Sequence, residues 1–184
     1  YYPGVRGPLR IARPVQGHPV IAQAGASQAG RDFAAQTADL VFCNCLSIES
    51  GRAFYADLKG RVAAAGRNPH SLKIMPGCSI VWGETDALAT EKFEQIASLF
   101  PIGVAVENLM LDLHGHPLDS PFPTDVAPAR FSVGHQKEIT QFAVANGLTL
   151  RQTAQRLAVG NKHRVLVGST QTIAVCVLPT SCLL

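Results

Sequence analysis

Apolar runs of strand length alternate with helix-period segments in the first half of the chain. The runs at 20–23, 40–43 and 72–75 are short and apolar, which is typical of strands in a covered sheet. Apolar residues then recur at helical spacing, as Phe54, Leu58 and Val62 do on one face of a predicted helix. The pattern therefore predicts strand–helix units in succession.

A capping residue precedes each of the predicted helices. The first helix is predicted over 28–37, and the second ends near Gly66, a residue type common just after a helix. The third carries an apolar stripe on one face. The predicted caps are Ser27 for the first helix, Ser47 or Ser50 for the second, and Thr85 for the third.

Alternation of strands and helices with short connections is typical of parallel α/β structure. In such folds the carboxyl ends of the strands share one edge, where ligands bind. This predicts that 25–27, 43–45 and 77–79 lie at one edge. Periodicity alone does not distinguish a barrel from an open doubly wound sheet. A closed (β/α)8 barrel needs about 250 residues, and this chain has 184.

The second half changes character at residues 101–134, which contain five prolines. Connections of this length are usually functional lids or disordered segments, and the first of these predicts a lid insertion here. A helix is predicted over 136–146. Another begins at the capping box formed by Thr149 and Gln152 and ends at Gly160.

The two ends of the chain lack these patterns. Residues 1–19 are rich in proline, glycine and arginine and predict an extended surface arm. Residues 175–184 have no polar face, and Pro179 would interrupt a helix. We interpret 175–184 as an aberrant tail, truncated or frame-shifted, and residues 1–184 as a single partial domain.

Composition narrows the function classes. The chain is 47% hydrophobic and carries a formal charge of +3 with scattered Lys and Arg, so nucleic-acid binding is disfavoured. No apolar run is long enough to span a bilayer and no signal peptide is evident, which predicts a cytoplasmic protein without membrane contact. Five cysteines in a chain of this length do not form a disulfide scaffold.

The candidate binding site is the turn Gly25-Ala26-Ser27 between the first predicted strand and helix. Gly25 and Ala26 let a ligand approach the backbone, and Ser27 is a good N-cap. The N–H groups of the first helical turn then point toward an anion. The same residues are also typical of a turn in which glycine and serine only cap the helix.

Other chemistry-bearing residues have simple structural explanations. Cys43 and Cys45 lack zinc-site or redox-motif spacing and are predicted to be buried thiols. His114 and His116, with Asp112 or Asp119, could hold a metal ion but lie in the predicted lid, which favours a surface loop. Trp82 could stack on a ligand or pack against neighbouring helices, and the basic turn at 160–164 could contact a phosphate or only solvent. Four further histidines are predicted to be polar loop or cap residues: His18, His70, His135 and His163.

Several motifs resemble one family, the flavin-dependent monooxygenases of the bacterial-luciferase-like superfamily. The similarity is to the branch that includes nitrilotriacetate and dibenzothiophene-sulfone monooxygenases, and it extends over roughly residues 1–174. The motifs are Ala12-Arg13-Pro14, Gln16-Gly17-His18-Pro19-Val20, Gln23-Ala24-Gly25-Ala26-Ser27, Gly30-Arg31, Ala38-Asp39-Leu40-Val41-Phe42, Phe54-Tyr55-Ala56-Asp57, Ile74-Met75-Pro76-Gly77, Pro117-Leu118-Asp119 and Val167-Gly168-Ser169.

The resemblance implies part of a (β/α)8 TIM barrel, incomplete, with about three strands of its C-terminal half, their helices and a lid insertion. It implies reduced FMN as cofactor, with its phosphate held by Ser27 and the backbone of Gly25 and Ala26. It further implies O2 and a small organic substrate, a separate NAD(P)H-dependent flavin reductase, and a homo-oligomeric full-length parent.

No catalytic residue and no metal ligand can be assigned within the chain, because the family's catalytic histidine lies upstream of Tyr1. We therefore expect the chain alone not to turn over substrate. Two alternatives are a deazaflavin-dependent oxidoreductase of the same superfamily and a non-catalytic remnant that acts as an association module.

Overall fold

The computed structural model describes residues 12–127 and 133–181. The strands are β1 (Ala22–Gln23), β2 (Leu40–Cys43), β3 (Lys73–Pro76), β4 (Cys78–Trp82) and β5 (Arg164–Gly168). The helices are α1 (Gln28–Thr37), α2 (Ile48–Ala64), α3 (Asp86–Ser98), α4 (Ile102–Glu107), α5 (Val133–Ala145), α6 (Leu150–Val159) and α7 (Thr170–Ser181).

All strand pairings between these named strands are parallel, which confirms the predicted parallel α/β fold. One sheet has the order β1-β2-β3, with Leu40 opposite Ala22 and Lys73, and a second sheet pairs β4 with β5. Gly77 alone separates β3 from β4. The strand predicted at 72–75 corresponds to β3. The next strand, β4, was not predicted, because a proline–glycine pair such as Pro76-Gly77 is a common strand terminator. Here the glycine only interrupts an extended segment. No strand was predicted at β5 either.

Helices α1 and α2 cover the same face of the β1-β2-β3 sheet. The core between them contains Val41 and Ile74, which are register partners, together with Leu58. The next register pair, Phe42 and Met75, is 41% and 51% exposed. An open doubly wound sheet carries helices on both faces, whereas a barrel carries them only on its outside. The one-sided arrangement is therefore that of a barrel arc.

His163 packs where the two sheets meet. A Cβ atom at Gly77 would lie 2.4 Å from Nδ1 of His163, and the same ring contacts Phe42 edge-on with the centroids 5.3 Å apart. Nδ1 of His163 is buried. His163 lies in the turn before β5, as predicted for a loop residue, and its ring occupies the space that Gly77 leaves without a side chain.

The predicted helix caps are confirmed. Ser27, Ser47, Thr85 and Thr149 each accept a hydrogen bond from a backbone N–H in the first turn of their helix, and the capping box at Thr149 is present. Ser47 rather than Ser50 is the N-cap of α2. Gly66, just beyond α2, has the positive φ of +74° that a glycine adopts without strain. Short-range sequence signals thus set most helix boundaries.

The predicted lid segment shares a hydrophobic core with α5 and α6. Within 101–127 it contains α4, and its buried apolar side chains pack with α5 and α6. Residues 128–132 of the predicted lid lie outside the described residues. The shared core residues include Leu109, Leu111, Leu113, Phe122, Val126, Ile139, Ala143, Leu150 and Leu157.

The chain ends differ from each other. Most of the predicted arm, 1–11, lies outside the described residues, and 12–19 are largely exposed. Helix α7 continues past Pro179 to Ser181, which corrects the prediction that Pro179 interrupts it. The missing N–H of Pro179 removes one helical hydrogen bond, and only two residues of α7 follow it. None of the helices within 12–127 and 133–181 is both long and apolar enough to cross a membrane.

Candidate functional site

The Gly25-Ala26-Ser27 turn connects the carboxyl end of β1 to the start of α1. Ser27 has extended backbone angles, and its Oγ accepts the N–H of Gly30 at 3.1 Å. Ala26 and Ser27 are exposed. Within the described residues, the Ser27 hydroxyl and the N–H groups of Gln28 and Ala29 have no acceptor. The turn therefore presents hydrogen-bond donors to solvent at a helix N-terminus.

Close packing explains the two glycines that flank this turn. A Cβ atom at Gly30 would lie 3.1 Å from the backbone of Gly25, so the backbones of the helix start and the turn are in close contact. Gly25 donates its N–H to Oε1 of Gln23 at 2.9 Å. Gly25 thus shapes the turn, and its own N–H is already hydrogen-bonded.

Arg31 connects the turn to helix α2 through side-chain contacts. Its Nε donates to the Ala26 carbonyl at 2.8 Å, and its Nη1 lies 2.8 Å from Oδ2 of Asp57 in α2. The guanidinium also lies over the Phe54 ring, 4.8 Å from its centroid. The role of Arg31 and Asp57 was missed from the sequence, although both lie in motifs that carry the family resemblance. No local pattern shows that residues 26 positions apart form a pair.

Asp57 forms a second ion pair, with Arg61 of its own helix. Arg61 donates to it at 2.9 Å and also contacts Asp32 and Gln28 of α1. Burial by itself would raise the pKa of Asp57, but the hydrogen bonds from Arg31 and Arg61 outweigh it, so that the pKa lies below its ordinary value of 3.8. The ionised carboxylate therefore helps to hold α1 against α2.

Replacing Asp57 with asparagine should make the protein less stable at neutral pH, by about 1 kcal/mol, since partly exposed ion pairs contribute little more. A carboxyl whose pKa is lowered by folding stabilises the native state above its unfolded pKa, and this contribution is lost as the pH falls through its folded pKa. The stability gap between wild type and Asp57→Asn should thus be constant from pH 7 to pH 5 and shrink below about pH 4. Urea unfolding across this range measures it, and a gap that stays constant to pH 2 would contradict the assignment.

Acidic residues lie at the other helix starts that follow strands. Glu49 is in the first turn of α2, where hydrogen bonding to its own backbone N–H and to Ser47 lowers its pKa. Asp86 is the first residue of α3, and its carboxylate accepts the Ser169 N–H at 2.7 Å and the Thr172 hydroxyl at 2.9 Å at the start of α7. Helix α1 has no acidic residue in its first turn. Of these four starts, only that of α1 has neither an acidic residue in its first turn nor a carboxylate bonded to it among the described residues.

Cys43 and Cys45 lie at the carboxyl end of β2, at the same edge as the turn. Both are buried, as predicted, and their sulfur atoms are 3.8 Å apart. The hydrogen bond from Cys45 lowers the pKa of Cys43, and the same contact raises that of Cys45. Gly77 joins this edge by donating its N–H to the Cys43 carbonyl, whereas Cys78 and Ser79 begin β4. The predicted shared edge therefore contains 25–27, 43–45 and Gly77.

The remaining candidates are placed as follows. His114 and His116 are exposed, and Asp119 pairs with Arg151 at 2.7 Å. No group of three metal-ligand side chains occurs in the parts of the chain that the structure describes. Trp82 donates its indole N–H to Thr170 at 3.0 Å and lies beneath Lys92 of α3. Its partners are therefore the neighbouring helices.

Comparisons with known proteins agree with this architecture. The family model for luciferase-like monooxygenases matches residues 1–174. Nitrilotriacetate monooxygenase component A of Aminobacter aminovorans is 39% identical over 175 residues, which are 92% of this chain and 39% of that protein. Dibenzothiophene-sulfone monooxygenase of Rhodococcus erythropolis is 41% identical over 121 residues, 64% of this chain and 27% of the relative.

Structural similarity extends over the same region. The crystal structure of DmoA from Hyphomicrobium sulfonivorans superimposes with a TM-score of 0.67 and 26% identity, over 87% of this chain and 34% of that one. The chain thus spans well under half the length of the relatives that it matches. The parallel fold, the one-sided helices and a family match over nearly the whole sequence agree: this chain belongs to the luciferase-like monooxygenase family.

Proposed function

We propose that this chain is part of a two-component flavin-dependent monooxygenase, and that its Gly25-Ala26-Ser27 turn holds the phosphate of reduced FMN. The observation that carries the proposal is the start of α1, which is exposed, has unpaired donors within the described residues and contains no carboxylate. At the other three strand-to-helix turns, Glu49 lies in the first turn of α2, Asp86 lies in the first turn of α3, and the Asp86 carboxylate accepts hydrogen bonds at the start of α7.

The residues present fit a phosphate. The Ser27 hydroxyl and the N–H groups of Gln28 and Ala29 would donate to its oxygens, and the positive end of the α1 dipole would favour its charge. The Ala26 carbonyl, the acceptor in this turn, is already hydrogen-bonded by Arg31. The chemistry that reduced FMN supplies when bound is the activation of O2, of which one oxygen atom enters the substrate.

The remaining parts of the proposal follow from family membership. A separate NAD(P)H-dependent reductase would supply the reduced FMN, and the name of one relative, a "component A", supports a multi-component system. The segment 101–127 with α5 and α6 would cover the substrate, a small organic molecule, and exclude water. We also propose a cytoplasmic location and a homo-oligomeric whole enzyme.

The test compares FMN with riboflavin, which lacks the phosphate. In the 15N-labelled chain, the amide signals of Ser27, Gln28 and Ala29 should shift on titration with oxidised FMN. The affinity for riboflavin from the same signals should be about ten-fold lower, because charge-assisted hydrogen bonds contribute about 1.5–3 kcal/mol. Ser27→Asp should keep the cap, since aspartate is an equally good N-cap residue, and remove the preference for FMN by repelling its phosphate.

The matched control is Thr85→Asp, which makes the same kind of change at the N-cap of α3. It should leave the FMN response intact. Equal responses to FMN and riboflavin in the wild-type chain, or an unchanged preference in Ser27→Asp, would contradict the proposal. The same titration with a deazaflavin cofactor tests the alternative carrier, which tighter binding than FMN would favour.

A second candidate function is that of a non-catalytic association module. The exposed register pair Phe42 and Met75 favours it, since an apolar sheet face open to solvent promotes association. Self-association in sedimentation velocity, together with no FMN response at Ser27, would support this function over the flavin enzyme.

A further inference from the structure

A cavity of about 850 Å³ lies apart from the Gly25-Ala26-Ser27 turn. Its walls come from the start of α2, from α5, from Arg156 of α6, from β5 and from the first turns of α7. None of the three turn residues lines it. The volume is in the range of small-molecule sites, about 300–1,000 Å³. Of the sequence candidates, the basic turn at 160–164 contributes Arg164 to this cavity, whereas the other walls come from segments far apart in the chain.

Two arginines in this cavity have no anionic partner among the described residues. Arg156 of α6 and Arg164 of β5 both line it and are half-buried, yet neither guanidinium has an ion pair or hydrogen-bond acceptor there. Arg156 lies over the Phe93 ring, 5.4 Å from its centroid, and burial lowers its pKa. By contrast, Arg31 and Arg151 donate to carboxylates. The guanidinium donors of Arg156 and Arg164 are thus open to water or to a ligand.

The acidic residues of the cavity do not pair with its arginines. Glu138 accepts the Leu46 N–H at 3.0 Å, and hydrogen bonding to its own backbone N–H and to Ser47 lowers the pKa of Glu49. Arg164 is near enough to contribute to this lowering of the Glu49 pKa, but the two residues form no ion pair. Among the described residues, the guanidinium donors of the cavity are therefore available to an anionic ligand.

The other walls are apolar. Phe142 of α5, Leu166 of β5 and Ile173 of α7 line the same space as the arginines. We infer that this cavity binds an organic anion, a carboxylate with an apolar body, whose charged end lies at Arg156 and Arg164. The inference rests on the proposed function, for which it names the substrate class.

Titration calorimetry on the 184-residue chain tests this with phenylacetate and its neutral isostere phenylacetamide. Phenylacetate should bind at least ten-fold tighter than the amide. Arg156→Gln and Arg164→Gln should each weaken phenylacetate binding about 10- to 100-fold, because a hydrogen bond between charged groups contributes about 1.5–3 kcal/mol. Binding of the amide should change less than two-fold. The matched control is Arg52→Gln, an exposed arginine of α2 outside the cavity, which should bind like wild type.

Thermal unfolding of each variant verifies that it folds, and Arg156→Lys and Arg164→Lys, which keep the charge, should retain part of the affinity. Equal affinity for acid and amide, undiminished binding in both glutamine variants, or no heat at 20 mM phenylacetate would overturn the inference. Ser27→Asp should bind phenylacetate normally, while Arg156→Gln should keep the preference for FMN over riboflavin. Failure of the anion site and failure of the flavin site are therefore separate outcomes.

Discussion

Replacing Leu58 with alanine is expected to lower the free energy of unfolding by about 3 kcal/mol, the largest effect of any substitution considered for this protein. Leu58 is completely buried in the core where α1 and α2 meet the β1-β2-β3 sheet. Removing its branched end leaves a cavity that two helices and a sheet cannot close, so the lost transfer energy and the cavity term add. Urea denaturation monitored by circular dichroism measures the change.

Leu88→Ala is the matched control, because Leu88 is also helical but 48% exposed. It should change the stability by less than about 0.5 kcal/mol. If both variants lost the same stability, the core assigned to α1 and α2 would be wrong. The Gly25-Ala26-Ser27 turn depends on this core, since α1 is held in place there.

Replacing Gly77 with alanine is expected to cost about 2 kcal/mol, or roughly 4–8 °C in melting temperature for a chain of this size. The new Cβ would lie 2.4, 2.7 and 2.8 Å from Nδ1, Cε1 and Cγ of His163, so the whole ring must move. That movement would break its edge-on contact with Phe42. The packing between the two sheets would therefore be weakened.

A double-mutant cycle checks the cause. In a His163→Ala background the ring is absent, so Gly77→Ala should then cost less than about 0.5 kcal/mol. Gly60→Ala is the control, because Gly60 lies within α2 with nothing within 4 Å of its added Cβ, and it should stabilise the helix by up to about 1 kcal/mol. Additive effects of Gly77→Ala and His163→Ala would contradict the assignment.

Some of the contacts in this protein could be predicted from neighbouring residues in the sequence, and others could not. Ser47, Thr85 and Thr149 could be predicted as caps because each bonds an N–H only three residues away. The Arg31–Asp57 pair could not, because it depends on how α1 lies against α2. Likewise, Gly77 was interpreted as a strand end, although β4 resumes one residue later where His163 fills the space beside it.

The sequence by itself determined the first three strands and the helices between them, the helix caps, the candidate turn around Ser27 and the family resemblance. All of these are encoded in neighbouring residues, where period, capping and turn chemistry act over a few positions. Only the tertiary structure decided that helices cover one face of the first sheet, that the start of α1 alone lacks a carboxylate among the four strand-to-helix turns described, and that Arg156 and Arg164 meet in one cavity. These features arise where distant segments pack together, and no local pattern encodes which segments those are.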